Sequence, residues 1–355
     1  MFQASNSLFA SSALSSSIVT LASIALACAA ACAAILAFLL KSGLAWRLAT
    51  DIPNERSLHV RPTPRVGGWG VIPVAVVAIL LVAPSLWLIA LGAAFLAAVS
   101  QIDDRRGLPA RVRFAAHFVA VLALIVGYPA PIPWWCAAIL AFLLLWLVNL
   151  YNFMDGADGL AGGMALFGFG GYALAAFAGP QPMLPLSWAC VAVAGAAAGF
   201  LLFNFHPAKV FLGDAGSIPA GFLAGALGYW GWRGGAWPIW FPAMVFAPFI
   251  GDASVTLLRR LLRGEKFWQA HREHYYQRMV RLGTGHAVTA LSWYLVICVG
   301  IVIALWALGR SPAQQWGIVA GWAVVLVLMG AAIDVRWRSF QSLTSQSEVD
   351  ADAPQ

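Results

Sequence analysis

Residues 134–163 read WWCAAILAFLLLWLVNLYNFMDGADGLAGG. The first eighteen positions are apolar apart from Asn149. Wound as a helix they rise about 27 Å, close to the ~30 Å of a bilayer's hydrocarbon. The character then changes at once. Asn149, Asn152, Asp155 and Asp158 recur at three-residue intervals, with glycines among the last of them. Oxygen donors spaced in this way suit a divalent cation or sugar hydroxyls. A helix-capping role for Asp155 or Asp158 accounts for one acid and leaves the other polar groups unexplained. A membrane-spanning helix that ends in a polar, glycine-rich turn is therefore the unit to look for elsewhere.

The rest of the chain repeats that unit. Of 355 residues, 61% are hydrophobic and 10% charged, against about 25% charge in soluble domains. That excludes a soluble globular domain, a disordered chain and a nucleic-acid binder that relies on a basic surface. Apolar runs occur at 17–40, 68–84, 86–101, 114–129, 134–151, 159–178, 183–205, 216–232, 237–258, 286–309 and 315–334. Period-2 alternation is absent, which disfavours a transmembrane barrel. The expected fold is an all-α integral membrane protein of about eleven (10–11) transmembrane helices. Residues 1–340 form one polytopic catalytic domain, and 341–355 form a polar cytoplasmic tail without regular structure. The first run lacks a positive leader and is too long for a signal-peptide core, so it reads as a retained span. Cys28, Cys32, Cys136, Cys190 and Cys298 lie within apolar runs and read as packing residues.

Charge sets the orientation. With the N-terminus outside, 19 of the 21 Lys and Arg fall on one side, leaving Arg233 and Arg310 on the other. The positive-inside rule makes the rich side cytoplasmic, with a periplasmic N-terminus and a cytoplasmic C-terminus. Trp87, Trp134, Trp135, Trp188, Trp230, Trp232, Trp237, Trp240, Trp306 and Trp316 lie near the outer ends, where amphipathic rings suit the headgroup level.

The acids mark the chemistry. All fourteen lie in or beside inner segments or in the C-terminal region, and a loop that only sets topology needs cations, not carboxylates. Segment 41–67 carries Asp51 with Arg56, His59, Arg61 and Arg65, and ends in Gly67-Gly68, which lets backbone approach a ligand. Segment 102–113 carries the pair Asp103-Asp104 and Arg113. Adjacent carboxylates repel, which fits a proton acceptor or a metal site. Segment 149–159 is the one quoted above. In 204–217, Asp214 precedes a span, where free helix N–H groups and Lys209 suit phosphate, and Asp214 suits Mg²⁺ or a plain helix cap. Segment 259–285 carries HREHYYQR, with His271, Arg272, His274 and Arg278. Its arginines fit a diphosphate better than its histidines fit zinc, because the HExxH spacing is missing. Asp252 and His117 are lesser candidates with an equally good reading as buried structural groups.

Five stretches together, DIPNERSLHVRPTPRVGG, DDRRGLPARVRF, NLYNFMDGADGLAGG, FNFHPAKVFLGDAGS and HREHYYQR, resemble the polyprenyl-phosphate N-acetylhexosamine-1-phosphate transferases, glycosyltransferase family 4. The look is nearest to the branch that initiates O-antigen and lipopolysaccharide glycans. The resemblance implies an Mg²⁺-dependent enzyme, with Mn²⁺ as a substitute, in the bacterial inner membrane with its site facing the cytoplasm. It implies undecaprenyl phosphate and a UDP-N-acetylhexosamine as substrates: UDP-GlcNAc, or a 6-deoxy relative such as UDP-FucNAc or UDP-QuiNAc. Membrane lipids surround the chain, nucleic acid has no part, and a homodimer is compatible. By position, Asp103 and Asp104 match the paired aspartates that place or deprotonate the lipid phosphate. Arg113 stands near the phosphates, and Asn152 and Asp214 match metal-holding positions. Asp155 and Asp158 match acids of the nucleotide-sugar loop, and Lys209 meets phosphate. His271, Arg272, His274 and Arg278 match the last inner loop, with His274 as a catalytic candidate. Several relatives have HHH or HLHH there, whereas this chain places Tyr276 and Gln277 where the additional histidines stand. A lipid or sugar transporter is the alternative, but it calls for charges at mid-membrane. A CDP-alcohol phosphatidyltransferase needs an aspartate pattern that does not follow Asp155-Gly156.

Overall fold

The computed structural model describes residues 2–53, 58, 61–266 and 271–351, with side chains from 15 to 343 within those ranges. Arg56 and His59 lie outside the described residues. The chain is an all-α, multi-pass membrane protein. Helices α1 (Phe2–Lys41), α2 (Leu44–Leu48), α3 (Gly67–Val82), α4 (Trp87–Arg106), α5 (Ala110–Gly127), α6 (Trp134–Phe153) and α7 (Leu160–Ala178) are followed by α8 (Leu184–Asn204) and α9 (Asp214–Arg233). Then come α10 (Trp240–Val245), α11 (Ala247–Leu262), α12 (Tyr275–Met279), α13 (Gly285–Ala307) and α14 (Pro312–Ala351). Between α2 and α3, β1 (Thr50–Asp51) and β2 (Thr63–Pro64) pair antiparallel, a small sheet that the apolar pattern does not announce.

Every apolar run is helical, and among the described residues eight helical stretches are long and apolar enough to cross a membrane. The other three runs depart for physical reasons. Helix α3 has 16 residues. Run 237–258 breaks at Phe246 into α10 and α11, because Pro248 has no N–H and its ring would clash with the carbonyl one turn earlier. Helix α9 is rich in Gly and Ala and is buried along nearly its whole length. Facing protein rather than lipid, it needs small side chains that admit neighbours: a Cβ on Gly221 would lie 2.8–2.9 Å from Tyr151 Cβ and the α6 backbone.

Helices α3, α4, α6, α7 and α8 pack against this centre, and α1 packs outside it on α8 and α3. The start of α3 zips onto the segment before α9: Gly67 N donates to Phe211 O and Gly68 N to Leu212 O, both at 2.9 Å. A Cβ on Gly68 would lie 2.5 Å from Gly216 N. Gly67-Gly68 thus admits another stretch of protein backbone, not the ligand expected from sequence. Trp134, Trp135, Trp306 and Trp316 are exposed, as a headgroup girdle requires. Trp237 and Trp240 are buried instead, Trp237 stacking on Tyr172 at 5.0 Å. The tail expected to lack structure continues α14 as helix to Ala351.

Candidate active site

Helix tips build the site. The end of α6, the turn 154–159 before α7, the start of α9 and the β1–β2 strap enclose a cavity of about 240 Å³. Its polar walls are Asp51, Arg65, Asn152, Asp155, Asp158, Asn204, Asp214 and His286. Four of the sequence candidates, Asn152, Asp155, Asp158 and Asp214, therefore share one chamber although 62 residues separate the first and last.

Each is positioned by its own local logic. Asn152 accepts the Ser217 hydroxyl at 2.7 Å, tying the end of α6 to the first turn of α9. Asn149, one turn earlier, spends its amide on Leu145 O of its own helix and stays out of the cavity lining, so the four-oxygen run loses its first member. Asp155 accepts the Gly213 N–H. Burial and then the Asp214 charge push its carboxyl well above the usual carboxylate range. Asp158 Oδ2 receives His206 Nδ1 at 2.7 Å and Ala208 N at 3.1 Å. Asn204 accepts Gly159 N and donates to Val210 O, which joins the 154–159 turn to the segment before α9.

Among the described residues, the cation that lines the chamber is Arg65, 2.6 Å from Asp51. Burial works against its charge, but Asp51, and then Asp214 and Asp104, hold the guanidinium protonated more firmly than usual. Asp104, at the end of α4, accepts the Ala215 N–H of the α9 start, where a helix favours an anion. Its Oδ2 is buried with no hydrogen-bond partner among the described residues. Asp214 is the first residue of α9 and makes no side-chain cap; Gly213 occupies the cap position. Three carboxylates, Asp104, Asp155 and Asp214, thus converge, with the Arg65 guanidinium close by and that of Arg113 also acting on Asp214. An all-oxygen donor set with surplus negative charge and an orphaned carboxylate oxygen fits a hard divalent cation.

The other candidates are placed differently. Asp103 turns away to accept Leu108 N at 2.6 Å and Arg113 at 3.2 Å, which closes the α4–α5 turn. Lys209 is exposed and outside the lining; its backbone N–H holds Phe203 O. None of His271, Arg272, His274 and Arg278 lines the chamber. His274 is 3% exposed, and its Nδ1 lies 3.2 Å from Asp252, which also accepts Tyr275 N and Tyr276 N and so caps α12. Arg278 is 7% exposed and paired with Asp334 at 2.7 Å. This loop meets the cavity through its aromatic side: His274 stacks on Phe153, and the Tyr276 hydroxyl donates to Phe153 O at 3.1 Å, against Gly156. Burial, His274 and Arg260 push His271 down to about 4. His117 is a buried side chain in α5, away from the chamber.

A profile for glycosyl transferase family 4 matches residues 86–231, the stretch that supplies Asp104, Asn152, Asp155, Asp158 and Asp214. Over that stretch the chain is similar to that family. Among curated relatives, the probable undecaprenyl-phosphate N-acetylglucosaminyl 1-phosphate transferase of Bacillus subtilis is 27% identical over 76% of this chain and 79% of its own. The decaprenyl-phosphate N-acetylglucosaminephosphotransferase of Mycobacterium leprae is 29% identical over 80% and 83%. The phospho-N-acetylmuramoyl-pentapeptide-transferase of Geobacillus thermodenitrificans is 47% identical over 25% of this chain and 26% of its own.

Sequence reasoning passed over two residues of the chamber region. His286 lines the cavity and His206 stacks on it, the rings 5.4 Å apart and 5° from parallel. His206 stands beside Lys209 in a quoted motif; His286 opens an apolar run, and no local pattern links it to Asp158.

Proposed function

We propose that this protein transfers an N-acetylhexosamine 1-phosphate from a UDP-sugar to undecaprenyl phosphate at the cytoplasmic face of the bacterial inner membrane, releasing UMP. One observation carries the reading: Asn152, Asp155, Asp158 and Asp214 line a single chamber with Arg65, at the tips of membrane helices. A reaction between a lipid phosphate and a water-borne nucleotide sugar needs that location. The three relatives, named for polyprenyl-phosphate or muramoyl-pentapeptide transfer, support it. O-antigen or a related envelope glycan is the proposed destination of the product.

The lipid phosphate oxygen attacks the β-phosphorus of the UDP-sugar. A new phosphoanhydride forms, the old one breaks, and its electron pair leaves on UMP. The chain must bring two anions together and neutralise the charge between them. Asn152 and Asp214, with Asp155 beside them, would hold Mg²⁺ or Mn²⁺, and the ion would supply positive charge to offset that of the phosphates. Arg65 presents a fixed positive charge. The free oxygen of Asp104 accepts the proton that a lipid monophosphate carries at neutral pH, while Asp103 and Arg113 shape the turn beneath it. The 271–278 loop buttresses the 152–158 turn on which the sugar nucleotide rests.

The test is UMP release by detergent-purified protein with Mg²⁺, undecaprenyl phosphate and a panel of UDP-N-acetylhexosamines. UMP formation that depends on the lipid supports the transfer and identifies the sugar. Absence of UMP with every sugar rejects it.

A further inference from the structure

We propose that Asp158, His206 and His286 form a second metal site, of nitrogen and oxygen donors, that takes Zn²⁺. Their potential ligand atoms all lie within 4.8 Å of one another. His206 Nδ1 is 2.7 Å from Asp158 Oδ2, and His286 Nδ1 is 3.7 Å from Asp158 Oδ1. Those separations bracket the ~3.4 Å edge of a tetrahedron with bonds of about 2.0–2.1 Å, the zinc–nitrogen and zinc–carboxylate lengths. The two separations run to different oxygens of Asp158, and side-chain rotations that draw the group, now within 4.8 Å, onto one carboxylate oxygen close the geometry.

The surroundings already orient the ligands. His286 Nε2 lies 3.2 Å from Leu58 O, a carbonyl that accepts, so the proton sits on Nε2 and the lone pair on Nδ1 faces Asp158. A backbone carbonyl behind the remote nitrogen is the usual support of a metal-bound histidine. In the metal-free form that lone pair accepts the Asp158 N–H at 3.2 Å, a long bond exchanged for coordination on loading. His206 Nδ1 instead donates to Asp158 Oδ2 in the metal-free form, so coordination through it releases that proton to solvent or moves it to Nε2, as metal binding displaces protons from its ligands. The His206 side chain is 43% exposed, which opens a path of entry, while Asp158 and His286 are largely buried. Three protein ligands leave a fourth position for water or a phosphate oxygen, as in zinc sites that bind a further ligand.

Donor chemistry separates this site from the oxygen-only group around Asn152, Asp155 and Asp214. Imidazole nitrogens favour zinc, whereas carboxylates and amides without nitrogen partners favour magnesium. Asp158 and His286 line the same chamber as that group, His206 stacks on His286 outside the lining, and Asp155 and Asp158 stand three residues apart on the same segment.

The experiment is zinc binding to the full-length protein in detergent, measured against a chromophoric chelator and by metal analysis after gel filtration. No turnover is needed, so its failure is distinct from failure of the transferase reading. One zinc per chain is expected, with Co²⁺ giving the intense visible bands of a four-coordinate site. H206A and H286A should each weaken zinc at least about 100-fold, and Asp214→Asn should leave it unchanged. Helicity by circular dichroism and elution volume establish that each variant is folded; H206N and H286Q provide a milder pair if the alanine variants fail that check. Zinc that is absent, that survives loss of either histidine (as it would if held by His271 and His274), or that disappears with Asp214→Asn would overturn the proposal.

Discussion

The chamber at the start of α9 and the loop around α12 contain the same residue types, yet they handle charge in opposite ways. In the loop, every acid is matched. Arg260 pairs with Glu265 and Glu273, Arg263 with the same two, and Asp334 with Arg259 and Arg278. Arg278 also lies over the Tyr275 and Trp337 rings. At the chamber, Asp155 and Asp214 in its wall and Asp104 beside it converge near Arg65, a guanidinium already 2.6 Å from Asp51. Balanced charge holds a fold together and leaves nothing to offer a ligand. Unbalanced charge at a helix tip costs stability and persists where a ligand completes it. On the proposed function, the loop is the buttress and the chamber the place of chemistry.

Four measurements sharpen or break that contrast. Asp214→Asn removes a carboxylate from the unbalanced side. UMP release should fall about 10³-fold, ~4 kcal/mol in the barrier, with a weaker Mg²⁺ dependence; an unaltered Mg²⁺ titration would take Asp214 out of the metal shell. Asp252→Ala strikes the balanced side, stranding His274, Tyr275 N and Tyr276 N in a buried place. The expected loss is about 3 kcal/mol of stability by denaturant or thermal unfolding in detergent. A stability within ~0.5 kcal/mol of the parent would show that the loop is not held this way.

Asp104→Asn should cost about 10²-fold in turnover and flatten the rise of rate with pH, with Asp103→Asn changing the profile less. The reverse ranking would return the proton to Asp103. The smallest effect concerns His271. Its folded pKa, about 4, lies below the ordinary 6.5. The neutral ring is favoured by folding, so its contribution is complete above pH 6.5 and is lost as pH falls towards 4. The unfolding midpoint of His271→Gln should drop less between pH 7 and 4.5 than that of the parent; parallel curves would refute the assignment.

Much of the architecture was open to reading, because a bilayer leaves few choices. An apolar run of some twenty residues must satisfy its backbone internally, and helix is the local solution. Hence each of the eleven runs is helical, and Ala83-Pro84-Ser85 does separate α3 from α4. Helix α9 could be misjudged, since a helix surrounded by protein carries small residues and scores as weakly apolar. The break at Phe246 has its cause, Pro248, in plain view. The candidate site was legible as a set of residue types and only partly as a set of neighbours. Asn149 kept the spacing of Asn152 but bonded its own helix, and Asp103 and Asp104, adjacent in the chain, point to different partners.

What composition and local order determined is the class of molecule: helices across a membrane, with acids and amides stored at the ends of particular helices. That follows from short-range physics, the cost of bare backbone in lipid and of charge away from water. Which of those groups meet was decided by packing. The close passage of Gly68 against the α9 start and the ties from Asn152 to Ser217 and from Asn204 to Gly159 bring Asp155 and Asp214 together. Contacts between residues far apart in the chain depend on the angles at which helices cross. Those angles are set by all the side chains between them at once, so no single motif records that His286 comes to rest beside Asp158.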